Sequence, residues 1–199
     1  MSARDLPLLT FRDAQAFEAW LAQQPPDASG AWLRFAKTGA PEQTLGKSDA
    51  IDSALAYGWV DGQLGPVDEY CFKTRFTPRK RGSIWSKLNC ERIARLVEAG
   101  RMTPAGQAQV DAAKADGRWA AAYAPQSQAE LNADLDAALE ARPKARAFFD
   151  TLDAANRYAV LWRVHQAKGP DKRAAKIAEM VAKLERGEAL HPPRKAKPR

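Results

Sequence analysis

Cysteine and histidine are nearly missing from this 199-residue chain, at two residues each. Cys71 and Cys90 are spaced like neither a redox pair nor a zinc knuckle, and two thiols cannot build a disulfide framework. His165 has no carboxylate or cysteine at ligand spacing and His191 falls in the C-terminal tail, so neither a metal site nor a cofactor is expected. Long apolar runs are missing as well. Nothing approaches the roughly 18 to 20 residues that cross a bilayer, so no transmembrane segment is expected. The opening, MSARDLPLLTFRDAQAF, sets Asp5 and Asp13 around a very short apolar run and lacks the apolar stretch and cleavage site of a secretory leader. Together these absences predict a cytoplasmic protein with free thiols. Neither a serine nucleophile elbow nor an internal repeat occurs.

What is present is ordinary in amount and uneven in placement. Hydrophobic residues make up 45% and charged residues 28%, the balance of a globular protein, and the length suits one large domain or two small ones. The net charge is +7. Residues 1–65 carry 5 basic and 8 acidic side chains, 66–101 carry 9 and 4, 102–141 carry 2 and 6, and 142–199 carry 15 and 6. Two basic blocks therefore alternate with two acidic ones, a layout that favours anionic partners without naming one.

Along the chain, Asp13 reads as the cap of a helix with Phe17, Trp20 and Leu21 on one face, ended by Pro25 and Pro26. Trp32 to Ala36 reads as a short buried strand closed by Gly39 and Pro41. Ser48 caps a second helix carrying Ile51, Ala54 and Leu55, and Gly58 stands where a left-handed terminus wants glycine. Trp59–Gln63 and Tyr70–Thr77 then form the arms of a hairpin. In the second arm Tyr70, Phe72, Thr74 and Phe76 alternate with Cys71, Lys73, Arg75 and Thr77, giving one apolar and one basic face. Asn89 is expected to cap a helix with Ile93, Leu96 and Val97, and Thr103 before Pro104 to start the next.

Periodicity fails over 117–126, GRWAAAYAPQ, which places a domain boundary there. Beyond it Ser127 and Glu130 suggest a capping box before Leu131, Leu135, Ala138 and Leu139. Phe148, Phe149 and Leu152 precede a helix with Tyr158, Leu161, Trp162 and His165 on one stripe, and Pro170 opens another with Ile177, Met180, Val181 and Leu184. The expected architecture is α+β: residues 1–120 form an N-terminal antiparallel sheet of three to five strands packed by helices. Residues 127–190 form a three-helix module, and 191–199 a disordered basic tail.

Candidate chemistry is sparse. Gly46-Lys47-Ser48 looks like the end of a phosphate loop, but the position that needs the first glycine holds Pro41. Asp61 at the hairpin could be a catalytic carboxylate, though such a residue more often forms a turn or pairs with a nearby arginine. The richest segment is RFTPRKRGSIWSK, residues 75–87, where Arg75, Arg79, Lys80, Arg81 and Lys87 interleave with Phe76 and Trp85. Cations that meet phosphates and rings that stack on bases make such a segment an anion or nucleic-acid surface. Its rings fit core positions equally well. Trp59, Asp61 and Trp85 mark a possible pocket.

ALAYGWVDGQ at 54–63, RFTPRKRGSIWSK at 75–87, EAGRMTPAG at 98–106 and NRYAVLWRVHQAKGPDKRAAKIAEM from Asn156 resemble the YdeI/OmpD-associated, or bacteriocin-protection, family over about Phe11 to Leu190. The resemblance implies a role in tolerance of bacteriocins or cationic antimicrobial peptides, an association with outer-membrane porins and a periplasmic setting. It brings no catalytic residues. The leading reading is a non-enzymatic stress-tolerance or binding protein. The alternative is a nucleic-acid-binding protein using residues 75–87 and the basic C-terminal module, with an enzyme built around Asp61 ranked third.

Overall fold

The computed structural model describes residues 5–125 and 128–192. The chain forms two units, dividing between Ala122 and Tyr123.

In the first unit the Asp13 carboxylate accepts the Ala16 amide at 2.9 Å and starts α1 (Ala14–Leu21). β1 (Leu8–Leu9), β2 (Ala31–Ala36), β3 (Trp59–Pro66) and β4 (Cys71–Pro78) make one sheet in the order β1-β2-β4-β3. β2 and β3 both run antiparallel to β4, but β1 runs parallel to β2. The sheet is therefore mixed rather than antiparallel: α1 intervenes between β1 and β2 and returns the chain, which is how parallel neighbours must be joined. Pairing of β3 with β4 skips between Asp61 and Leu64, a bulge that leaves Gly62 and Gln63 out of register. The alternation expected in β4 holds for buried Thr74 and Phe76 against half-buried Lys73 and Arg75. Cys71 departs from it and is buried under the hairpin turn, where the Val67 and Asp68 amides donate to its carbonyl.

α2 (Lys47–Ala56) begins at Gly46 with no side-chain cap. Ser48, expected as the cap, lies inside the first turn, where its Oγ accepts from the Arg92 guanidinium at 3.2 Å. α3 (Lys87–Glu98) is capped by Ser86, whose Oγ accepts the Asn89 amide at 3.1 Å. Asn89, the expected cap, is thus inside the helix: Ser86 has extended backbone and stands three residues before the amide it satisfies. α4 (Pro104–Ala115) starts as expected, with Thr103 accepting the Gly106 amide at 3.2 Å and proline at the first helical position.

Two hydrophobic clusters meet at α2. Phe17, Leu21, Leu33, Phe35, Trp59 and Phe76 pack with its Ala50 and Ala54 on the sheet side. Trp85, Ile93, Leu96 and Val110 pack with its Leu55 and Ala56 on the other. Small side chains let α4 come so close that a Cβ on Gly106 would sit 2.1 Å from the Ala56 carbonyl oxygen. Thr103 fixes this approach by donating its hydroxyl to the same carbonyl at 2.7 Å.

Among its described residues the second unit has four helices rather than three: α5 (Ala133–Glu140), α6 (Pro143–Thr151), α7 (Ala154–Gln166) and α8 (Pro170–Glu185). Phe148 and Phe149 lie within α6, which Pro143 opens at its first position and the Leu152–Asp153 break ends. α5 starts later than expected, with Asn132 before it, so Glu130 precedes the helix; Ser127, its expected capping partner, lies outside the described residues. Leu135, Leu139, Phe149, Val160, Val164, Met180 and Leu184 form the core. The buried stripe of α7 is thus Val160, Leu161 and Val164, while Tyr158 and Trp162 are half-buried and His165 is exposed overall, one ring face stacked on Trp162 at 5.8 Å. Arg173 binds Asp134 at 2.5 Å and the Val164 carbonyl at 3.2 Å, tying α8 to α5 and α7. His191, placed by the sequence in a loose tail, is instead held by Asn156, which accepts its amide at 2.8 Å. The remainder of the expected tail, 193–199, lies outside the described residues.

Two measurements follow. Gly106→Ala should cost about 1–3 kcal/mol in urea unfolding, since neither backbone can give way freely. His165 has its pKa lowered, first by partial burial and then by the Arg173 charge. The unfolded chain therefore takes up this proton more readily. The stability concerned is present above the unfolded value of about 6.5 and is lost as pH falls through the folded one. His165→Gln should reduce this fall in melting temperature between pH 7 and 5.

Candidate functional site

The sequence directs attention to the loop from β4 to α3. At its start the Arg79 amide donates to the Gly58 carbonyl at 3.0 Å, locking the end of β4 to the start of β3. The Arg79 side chain, read from the sequence as part of one anion-binding surface with Lys80 and Arg81, turns inward and is only 6% exposed. Its guanidinium carbon lies 3.5 Å from the centroid of the Trp85 ring, and its Nη1 donates to the Ile84 carbonyl at 3.1 Å. A guanidinium is planar and weakly hydrated for a cation, so it stacks on an indole where an ammonium would stay in water. Trp85 itself is buried against Trp119, ring centroids 5.0 Å apart, and its Nε1 makes no hydrogen bond among the described residues. The Cys90 thiol in this region is pushed up, chiefly by burial, with the Arg79 charge acting in the opposite sense.

The loop between these anchors is braced. Lys80 and Ser83 close a turn through two hydrogen bonds of 2.9 Å, and Arg118, paired with Asp116, donates to the Ser83 carbonyl at 2.9 Å. Lys80, Arg81 and Lys87 remain exposed and form no ion pair among the described residues. Ile84 and Leu88 stand exposed in the same segment, at 43% and 44%. Arg75 is half-buried on the outer face of β4, and its Nε makes no hydrogen bond among the described residues.

The possible pocket of Trp59, Asp61 and Trp85 resolves into three environments. Trp59 packs edge-on to Trp20 at 5.4 Å in the sheet-side cluster, and Trp85 belongs to the cluster under α3 and α4. Asp61 faces Lys47, the lysine of the Gly-Lys-Ser string, at 4.0 Å. Among the described residues no three His, Cys, Asp or Glu side chains are grouped to hold a metal ion. Sequence reasoning missed a cleft of about 430 Å³ between the end of α1, the start of β3, the end of β4 and the start of α4. Of the residues singled out beforehand it is lined by Trp59 and Arg79, joined by Tyr57, Gly58, Pro104 and Gln109. The signals for it were Gly58, at φ 76°, and the Thr103-Pro104 cap, each of which ends an element at the cleft.

Scaffold and surface in this segment separate by mutation. Trp85→Ala should cost about 3–5 kcal/mol in urea unfolding, whereas Lys80→Ala with Arg81→Ala should stay within about 1 kcal/mol of the parent.

Residues 9–109 match a family described as a domain of unknown function, DUF8412. Residues 128–187 match the family described as Bacteriocin-protection, YdeI or OmpD-Associated. No curated protein and no solved structure matches the chain. The bacteriocin-protection match is therefore narrower than the resemblance read along 11–190: it covers the C-terminal helices, and the three N-terminal segments fall in the stretch matched to DUF8412. The chain belongs, through just over half its length, to the DUF8412 family, and in residues 128–187 it is similar to the bacteriocin-protection, YdeI or OmpD-associated family.

Proposed function

We propose that the protein is a non-enzymatic binding protein of the bacteriocin-protection type, contributing to stress tolerance from the cytoplasm, and that it meets an anionic lipid surface through the loop between β4 and α3. The observation that carries this reading is the braced display of Lys80, Arg81 and Lys87 together with exposed Ile84 and Leu88. Cations find anionic headgroups while short apolar side chains enter the headgroup boundary, so the two kinds of side chain act at one depth. A loop already held by Arg79, Ser83 and Arg118 loses little further freedom on binding. Nucleic acid would draw on the same cations, but the rings that would stack on bases, Phe76 and Trp85, are 0% and 1% exposed. The family description names an association with OmpD, and a porin partner is proposed for this chain from that description alone.

Each cation near an anionic leaflet contributes about 1 kcal/mol, so three should change affinity on the order of 100-fold. The test compares the parent with a Lys80→Ala, Arg81→Ala, Lys87→Ala triple variant by sedimentation with phosphatidylcholine vesicles, with and without phosphatidylglycerol. The parent should bind only the anionic vesicles, less strongly as salt rises, and the triple variant should lose that binding. Equal binding by both proteins would remove the loop from consideration. Loss of single-stranded DNA binding by the triple variant, with no vesicle binding by the parent, would move the reading to nucleic acid.

A further inference from the structure

Helix α7 of the second unit carries two adjacent rows of side chains at intervals of four. Tyr158, Trp162 and Gln166 form one row, and Ala155, Ala159 and Arg163 the other, so all six share a face. They line a groove of about 680 Å³ that is completed by Lys176 of α8 and by His191. That volume suits a small molecule, for which sites of roughly 300–1,000 Å³ are typical. The groove is held in shape at two places. The Tyr123 ring packs edge-on to Trp162 with centroids 4.4 Å apart. The buried Asn156 side chain grips His191, accepting its amide at 2.8 Å and donating to its carbonyl at 3.3 Å.

The lining supplies charge as well as surface. Arg163 is half-buried, and its Nη1 donates to the Ala159 carbonyl of its own helix at 3.1 Å. Its Nε and Nη2 have no acceptor among the described residues and are not sealed from solvent. Two directed donors are therefore open to a ligand, in the fork geometry that matches a phosphate. Lys176 is paired with Glu179 at 2.5 Å, a bond that uses one of its three N–H donors. The Glu179 carboxyl is held below its usual range by that hydrogen bond first, with the Lys183 and Arg163 charges acting in the same sense. One carboxylate is thus shared among three cations, and it stands outside the lining, which contains no acidic residue. Tyr158 and Trp162 are half-buried, with ring planes 22° apart, and present aromatic surface beside the donors. A ligand for this lining carries a flat ring system and an anionic group that takes a forked guanidinium, both on one small molecule. We propose that the groove binds a mononucleotide, its base against Trp162 and Tyr158 and its phosphate on Arg163 and Lys176. All of the lining belongs to the second unit and none of it to the loop between β4 and α3, so this proposal and the vesicle reading stand or fall separately.

The probe is AMP, titrated into the full chain and followed by the Trp162 indole signal in NMR, with adenosine and inorganic phosphate as its separated halves. AMP should shift that signal at millimolar concentration, and each half should bind at least about tenfold more weakly. A 5′-phosphorylated tetraadenylate should bind no more tightly than AMP. Arg163→Gln removes only a hydrogen bond to its own helix, so the variant should keep its circular dichroism and lose at least about tenfold in affinity for AMP. Glu179→Gln, at an exposed position, frees Lys176 and should tighten AMP binding about two- to fivefold, which tests the site even if Arg163→Gln does not fold. The proposal is overturned if AMP leaves the signal unmoved, if either half binds as well as AMP, or if the tetraadenylate binds at least about tenfold more tightly, which would assign the groove to a nucleic-acid end. It is overturned equally if the folded Arg163→Gln protein binds like the parent, or if Glu179→Gln leaves AMP binding unchanged or weaker.

Discussion

The N-terminal unit depends on α2 being buried from two sides at once. A helix in that position must fit between a sheet and two other helices, and α2 fits because Ala50, Ala54 and Ala56 project almost nothing. The approach of α4 follows from this, since only glycine at position 106 tolerates the Ala56 carbonyl at such short range. The Thr103 hydroxyl then satisfies that carbonyl while its own Oγ caps α4, so one side chain positions two helices. With α2 and α4 fixed, the turn at Gly58 is fixed as well, and with it the entry of β3 and the register of β4 against it.

Placing a cation in that framework changes what the basic segment means. Composition presents five equivalent positive charges between residues 75 and 87. The structure sorts them into one that is structural, one half-buried on the sheet and three at the surface. The inward one stiffens the loop that presents the other three, so binding surface and scaffold are coupled through the Arg79–Trp85 stack. A desolvated guanidinium on an indole contributes on the order of 2 kcal/mol, enough to hold a loop whose remaining ties are single hydrogen bonds.

What could be read in the sequence was local. The Thr103-Pro104 start of α4, the left-handed Gly58 and the alternation of Thr74 and Phe76 with Lys73 and Arg75 each follow from a few neighbouring residues, and the structure has them. Helix α6 escaped notice because Phe148 and Phe149 are adjacent, whereas a helical stripe announces itself through spacing of three and four. The parallel pairing of β1 escaped because two residues carry no period at all. Arg79 could not have been distinguished from Lys80 by composition: what draws it inward is the ring of Trp85, six positions later and reached only by a turn. The cleft is less legible still, being assembled from four separated elements, although each of its boundary signals could be seen alone.

The bulge in β3 bears on the solution behaviour of the protein. As the outermost member of the sheet opposite β1, β3 offers eight residues of backbone to any other strand, with Leu64 62% exposed among them, and such an edge is where chains begin to stack on one another. Here the offer is interrupted. Gly62 and Gln63 break the ladder in the middle, and Pro66 withholds an amide at the end, so a second strand finds no continuous row of donors and acceptors to continue. The irregularity that spoils the hairpin's regular pairing thereby makes this edge a poorer template for edge-to-edge growth.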